Sequence, residues 1–71
     1  MKVNDKVRIK QLTVFEVYGG HQYNREMSEM AGEERIVIEV IEETANCPKH
    51  YKLENSHWDW TDEMLEIINF Y

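Results

Sequence analysis

The stretch Trp58-Asp59-Trp60-Thr61-Asp62-Glu63-Met64-Leu65-Glu66-Ile67-Ile68 decides how this chain is read. It gathers both tryptophans and four aliphatic side chains into eleven positions. Trp58 and Trp60 are two apart, so on an extended strand both indoles leave the same face, either as a core slab or as a binding platform. Thr61 then offers an N-cap hydroxyl, Asp62 and Glu63 place negative charge where free N–H groups of a first turn point, and Met64 and Leu65 follow as an apolar pair. The rhythm changes from strand to turn at Thr61. Beyond it, Ile67 to Tyr71 is β-branched and aromatic and favours a closing strand, although Met64, Leu65 and Ile68 would also form the stripe of an amphipathic helix.

Working outward, Tyr51 and Leu53 alternate with Lys52 and Glu54 as a short strand, and Asn55-Ser56 turns it into the tryptophan segment. Thr44 to Lys49 is a hairpin loop, with Pro48 lacking a donor and Asn46 tolerant of turn angles. Glu33 to Glu43 carries the strongest strand signal, Ile36, Val37, Ile38, Val40 and Ile41. Its register stays open: Ile36, Ile38 and Val40 face inward together, or Val37 faces inward with Val40 after a bulge. At the other end Val7 and Ile9 alternate with Lys6, Arg8 and Lys10, a half-buried strand with a basic outer face. Between these strands no single period holds. Val14 to Tyr18 reads as a short strand or ordered loop, Gly19-Gly20 breaks it, and Asn24-Arg25-Glu26-Met27 opens a helix of one or two turns that Gly32 stops. So long a connection must be pinned in a small domain, with Phe15, Tyr23, Met27 and Met30 as the pins. The expected core is Val7, Ile9, Met27, Met30, Val40, Leu53, Trp60, Met64 and Leu65.

Seventy-one residues make room for one domain, spanning 1–71 without a linker. One cysteine, Cys47, excludes an internal disulfide, and the longest apolar run is three residues, Ile36 to Ile38. Neither a signal peptide nor a membrane span is legible, so a cytoplasmic monomer with a reduced thiol is expected. The net charge of −6 is unevenly spread. Lys2, Lys6, Arg8 and Lys10 lie at the start, whereas Glu26, Glu29, Glu33, Glu34, Glu39, Glu42 and Glu43 face only Arg35 in the middle. The two blocks are candidates to face each other. Without a basic cluster beyond the first ten residues, nucleic acid is an unfavoured partner.

Strand, pinned loop, long hairpin, tryptophan strand, single turn and last strand is the order of parts in a small SH3-like barrel. At the residue level the chain resembles short, uncharacterised barrel proteins of phages and bacteria, Bacillus prophages among them. The likeness is carried by Asp5-Lys6-Val7-Arg8-Ile9, by Met27 to Gly32 and above all by Trp60-Thr61-Asp62-Glu63-Met64-Leu65-Glu66. The resemblance implies a mainly β fold, a five-stranded antiparallel barrel with one or two helical turns, and a phage setting inside a bacterial host cell. It carries no activity with it. The chain lacks the acidic-aromatic first-strand motif of eukaryotic peptide-binding SH3 domains, so a proline-peptide groove is not implied.

Three functional expectations follow, each set against a plainer one. Trp58 with Tyr18, Tyr23 and Tyr51 would make an aromatic shelf for a protein or peptide, or the same rings are core. The glutamates from Glu26 to Glu43 would mimic nucleic-acid charge toward a basic host protein, or they are a solvated face. The basic first strand would bind RNA or DNA weakly. His21, His50, His57 and Cys47 invite a metal, but only Cys47-x-x-His50 has ligand spacing and a structural zinc needs a second pair, so no metal or other cofactor is expected. No nucleophile lies at a fixed spacing from an oriented histidine and there is no phosphate-cradling loop, so catalysis is not expected.

Overall fold

The computed structural model describes residues 1–68. The final residues 69–71 of the expected closing strand lie outside the described residues. The fold is mainly β and antiparallel. In chain order it comprises β1 (Lys6–Ile9), β2 (Val17–Tyr18), β3 (His21–Gln22), α1 (Arg25–Glu29), β4 (Glu34–Ile41), β5 (His50–Leu53), a single 3-10 turn (Asp62–Met64) and β6 (Leu65–Ile67). One sheet has the order β5-β4-β1-β6, and β2 with β3 forms a separate hairpin.

The first strand is central because its alternation is strict. Val7 and Ile9 are buried, while Lys6 and Arg8 reach outward to Glu34 at 3.2 and 3.3 Å. The antiparallel register, with Arg8 opposite Glu34, brings that one glutamate of the acidic block to the basic strand. β4 takes the bulged register: pairing slips between Val37 and Glu39, which buries Val37 and leaves Ile38 54% exposed. A bulge puts one extra residue on one strand and so reverses which side chains face the core beyond it.

The core holds Val7, Ile9, Tyr23, Met27, Val37, Tyr51, Leu53, Trp60, Met64 and Leu65. Met30 and Val40, expected inside, are half-buried at its edge, because α1 is only one turn long and Val40 lies in the part of β4 past its pairing with β1. Tyr23 and Tyr51 correct the expectation of an exposed tyrosine shelf: both are fully buried. Their hydroxyls make this possible, since Tyr23 donates to the Lys10 carbonyl and Tyr51 to Asp62 Oδ1, each at 2.8 Å. A buried phenol with its O–H satisfied contributes its ring to the core without the penalty of an unpaired donor.

Trp60 is the largest fully buried side chain. Its backbone bridges Tyr51 in both directions, at 3.0 and 2.7 Å, and its indole N–H donates to Ser56 Oγ at 3.0 Å. Burying roughly 200 Å² of indole contributes about 5 kcal/mol before entropy is counted. Thr61 behaves differently from the expected N-cap. Its hydroxyl donates to the Tyr18 carbonyl at 2.9 Å and makes no cap bond. That long-range bond ties the β2–β3 hairpin to the 3-10 turn. Asn24 does cap α1, accepting from the Met27 N–H at 2.9 Å. The hairpin turns through Gly19 and Gly20, both at positive φ, as a two-residue loop of the kind that matches strand twist. A Cβ on Gly20 would lie 2.7 Å from the Pro48 ring, so the bare glycine lets β3 approach the 44–49 loop. No helix among the described residues is long and apolar enough to cross a membrane.

Candidate functional site

Trp58 stands where three hollows meet. Unlike Trp60 it is only half-buried, with one part of the ring packed on the core and His57 stacked on it at 4.5 Å between ring centres. Ser56 holds this turn: its Oγ accepts from the Trp58 N–H at 3.3 Å as well as from the Trp60 indole. One side chain thus sets the geometry of both tryptophans.

On one side of Trp58, Phe15, Asn24, Arg25 and Glu26 line a hollow of about 210 Å³. Phe15 is 63% exposed and sits at φ 72°, in the left-handed region. Glycine and asparagine tolerate that region, whereas a bulky side chain there is strained by 1 kcal/mol or more. The strain is held by the Phe15 N–H donating to the Tyr23 carbonyl and by Gln22 Nε2 donating to the Phe15 carbonyl at 3.3 Å. Phe15 is therefore not the pin that the sequence suggested. Tyr23 and Met27 pin the connection, and Phe15 is displayed by it.

On a second side lies a hollow of about 450 Å³ with Glu26, Glu29, Met30 and Glu33 on one wall and Asn55, Ser56 and His57 on the other. Its character is an aromatic floor with an acidic edge. A third recess, about 280 Å³, runs from Trp58 to His21, Gln22 and Asp59. A larger hollow of about 490 Å³, between Lys10, Leu12, Gly32 and Glu66, has no aromatic wall.

Of the tyrosines expected beside Trp58, Tyr23 and Tyr51 are in the core. Tyr18 is half-buried and turned edge-on to Tyr23, 6.1 Å between centres, with its oxygen accepting from the Thr13 N–H at 3.2 Å. Phe15 and His57 take their place, and neither has a sequence signal, because exposure at a turn is set by where the loop is tied.

The acidic residues are all exposed, and several are held in ion pairs. Glu34 is committed to Lys6 and Arg8, which hold its carboxyl below the usual glutamate range, and Glu33 pairs with Arg35. Glu42 lies 3.9 Å from Lys49. Glu26, Glu29 and Glu33 are the three that reach the Trp58 hollows. The same ion pairs engage Lys6 and Arg8, two of the four cations Lys2, Lys6, Arg8 and Lys10 of the basic first segment.

The third recess leads to a group of titratable side chains. His21, Cys47 and His50 each offer a ligand atom within 4.8 Å of the other two. His21 comes from β3, Cys47 from the 44–49 loop and His50 from the first position of β5. His50 is buried, its Nδ1 lying 2.9 Å from the Pro48 carbonyl and 3.7 Å from Cys47 Sγ. Its Nε2 is 3.9 Å from Asp59 Oδ1. Asp59 is in turn bonded by Lys52, chiefly for which reason its carboxyl is held below the ordinary value of 3.8. The sequence offered no oriented histidine, and these contacts correct that by orienting His50. Sequence spacing pairs Cys47 with His50 but does not reach His21 and Asp59, which come from separate segments. Comparison of the chain with protein-family models, with curated proteins and with solved structures returns no match.

Proposed function

We propose that this protein is a non-catalytic binding module that takes a short segment of another protein across Trp58. The observation that carries the reading is the pair Phe15 and Trp58, one strained and exposed, the other half-buried, walling a single hollow. Folding gains nothing from displaying a strained phenyl ring in solvent. A ligand side chain between the two rings would use it.

The acidic edge selects the partner's charge. Glu26 and Glu29 line the same hollow as Trp58, so an arginine or lysine of the bound segment can stack on the indole while meeting a carboxylate. An apolar residue in the Phe15 hollow, with a basic residue directed toward Glu26 and Glu29, is the recognised pattern. The sheet order, the Tyr51–Trp60 bridge and the 3-10 turn before β6 support reading the scaffold as an SH3-like barrel, with Trp58 on its rim.

An array of short peptides combining one aromatic or aliphatic residue with one or two arginines tests this. Bound peptides should shift the amide signals of Phe15, Asn24, Glu26, His57 and Trp58, and Trp58→Ala should weaken binding at least tenfold. Shifts confined to β1 and β4 would place the binding surface elsewhere and defeat the proposal.

A further inference from the structure

Beyond peptide binding, and independently of it, the geometry points to a metal site: we propose that His21, Cys47 and His50 bind one zinc-class transition-metal ion. The three donors are drawn from β3, a loop and β5, and a ligand atom of each lies within 4.8 Å of the others. The Cys47–His50 spacing suits a shared ion. With Zn–S of about 2.3 Å and Zn–N of about 2.05 Å at a tetrahedral angle, sulfur and nitrogen are about 3.6 Å apart; Cys47 Sγ and His50 Nδ1 are 3.7 Å apart.

Two further observations are independent of that distance. His21 Nε2 is buried and has no hydrogen-bond partner among the described residues. A buried polar atom without a partner is rare in a folded protein, and a metal ion supplies one. The second observation concerns the far side of His50. When Nδ1 gives its lone pair to the ion, the ring proton resides on Nε2, which faces Asp59 Oδ1 at 3.9 Å, and Lys52 holds Asp59 there. A ligating histidine whose other nitrogen faces a carboxylate is the usual outer arrangement of protein metal sites.

The donor set specifies the ion. One thiolate and two imidazoles favour zinc or cobalt over calcium or magnesium, which take oxygen ligands. Three protein ligands leave a fourth position for water or a carboxylate. Binding replaces the Cys47 thiol proton, which passes to solvent, and the hydrogen bond of His50 Nδ1 to the Pro48 carbonyl is exchanged for the metal bond. The fold prepares the approach. Gly20 against the Pro48 ring brings His21 to the loop, and the His21 and His50 rings already lie 5.0 Å apart.

The test is a titration of the reduced, chelator-stripped full chain with cobalt(II), followed by displacement with zinc(II). One equivalent should bind, with a thiolate-to-cobalt charge-transfer absorption and the intense visible bands of a tetrahedral ion. Cys47→Ser should abolish the charge-transfer band, and His21→Ala should weaken binding by at least tenfold. Asp59→Asn should weaken it by roughly 10-fold or more, and Glu54→Gln, exposed and outside both sites, should leave it unchanged. Failure of the unmodified chain to bind cobalt or zinc saturably at micromolar concentration would overturn the proposal. Equal binding by the unmodified chain, Cys47→Ser and His21→Ala would also overturn it. Peptide titration in the presence of chelator reads the Trp58 surface separately, so failure of one site is not failure of the other.

Discussion

Trp60 and Trp58 are two residues apart and share Ser56, whose hydroxyl oxygen accepts from the indole of one and the backbone of the other. Around Trp60 every polar group is matched: the backbone bridges Tyr51, and the Tyr51 hydroxyl meets Asp62. Around Trp58 the neighbours are hollows, a strained Phe15 and carboxylates at the edge. The two regions are built from the same residue types. What separates them is whether the chain returns to cover the ring. Tyr51 and the 3-10 turn cover Trp60, whereas the chain opposite Trp58 stops at Phe15 and the acidic end of α1.

Substitution of the two tryptophans tests that contrast with the largest effect. Trp60→Ala should cost about 3–5 kcal/mol, close to the whole stability of a domain this size. Trp58→Ala should cost about 1–2 kcal/mol, since only part of its ring leaves water. Urea denaturation followed by circular dichroism checks both. Equal losses would erase the distinction between a structural and a displayed tryptophan.

Phe15 sharpens it at a smaller scale and with the opposite sign. Asparagine tolerates the left-handed backbone, so Phe15→Asn should raise stability by up to about 1 kcal/mol while abolishing peptide binding. A shift in denaturation midpoint to lower urea would show that the phenyl ring supports the fold.

The gentlest probe is pH. Burial lifts the hydroxyl pKa of Tyr23, and burial with the hydrogen bond to Asp62 lifts that of Tyr51, both above the ordinary value of 10.0. A pKa raised by folding contributes stability that is complete below the unfolded value and is lost as pH rises past it. Asp59, depressed chiefly by its bond to Lys52, works in the other direction: its contribution is present above 3.8 and fades as pH falls through the lower folded value. These groups make their full contribution between about pH 5 and 9, and stability should fall at both ends as it is lost. Tyr51→Phe should flatten the alkaline fall, and Lys52→Met the acid one, in melts recorded across pH.

Much of the scaffold was legible because it rests on local pattern. The alternation of Val7 and Ile9, the cap at Asn24 and the position of Trp60 each follow from side-chain period or from a short-range hydrogen bond. The site was less legible. Tyr23 and Tyr51 have the composition of a binding shelf, and only the acceptors that meet their hydroxyls, Lys10 and Asp62, place them inside. The bulge after Val37 is a matter of cross-strand pairing with β5, and two registers fit the strand equally well when read alone.

The Trp58 to Ile68 stretch, taken by itself, determined that a large aromatic anchor precedes a tight turn and favoured a closing strand over a helix, because those depend on neighbours in sequence. Tertiary structure decided that Trp60 is covered and Trp58 is displayed. It also decided that Thr61 bonds Tyr18 rather than capping its own turn, and that His21 meets Cys47 and His50 across chain separations that no spacing rule spans. The physical reason is common to all three: a hydrogen bond or ligand group joining distant segments exists only once the chain has closed, so its residues carry no local signature.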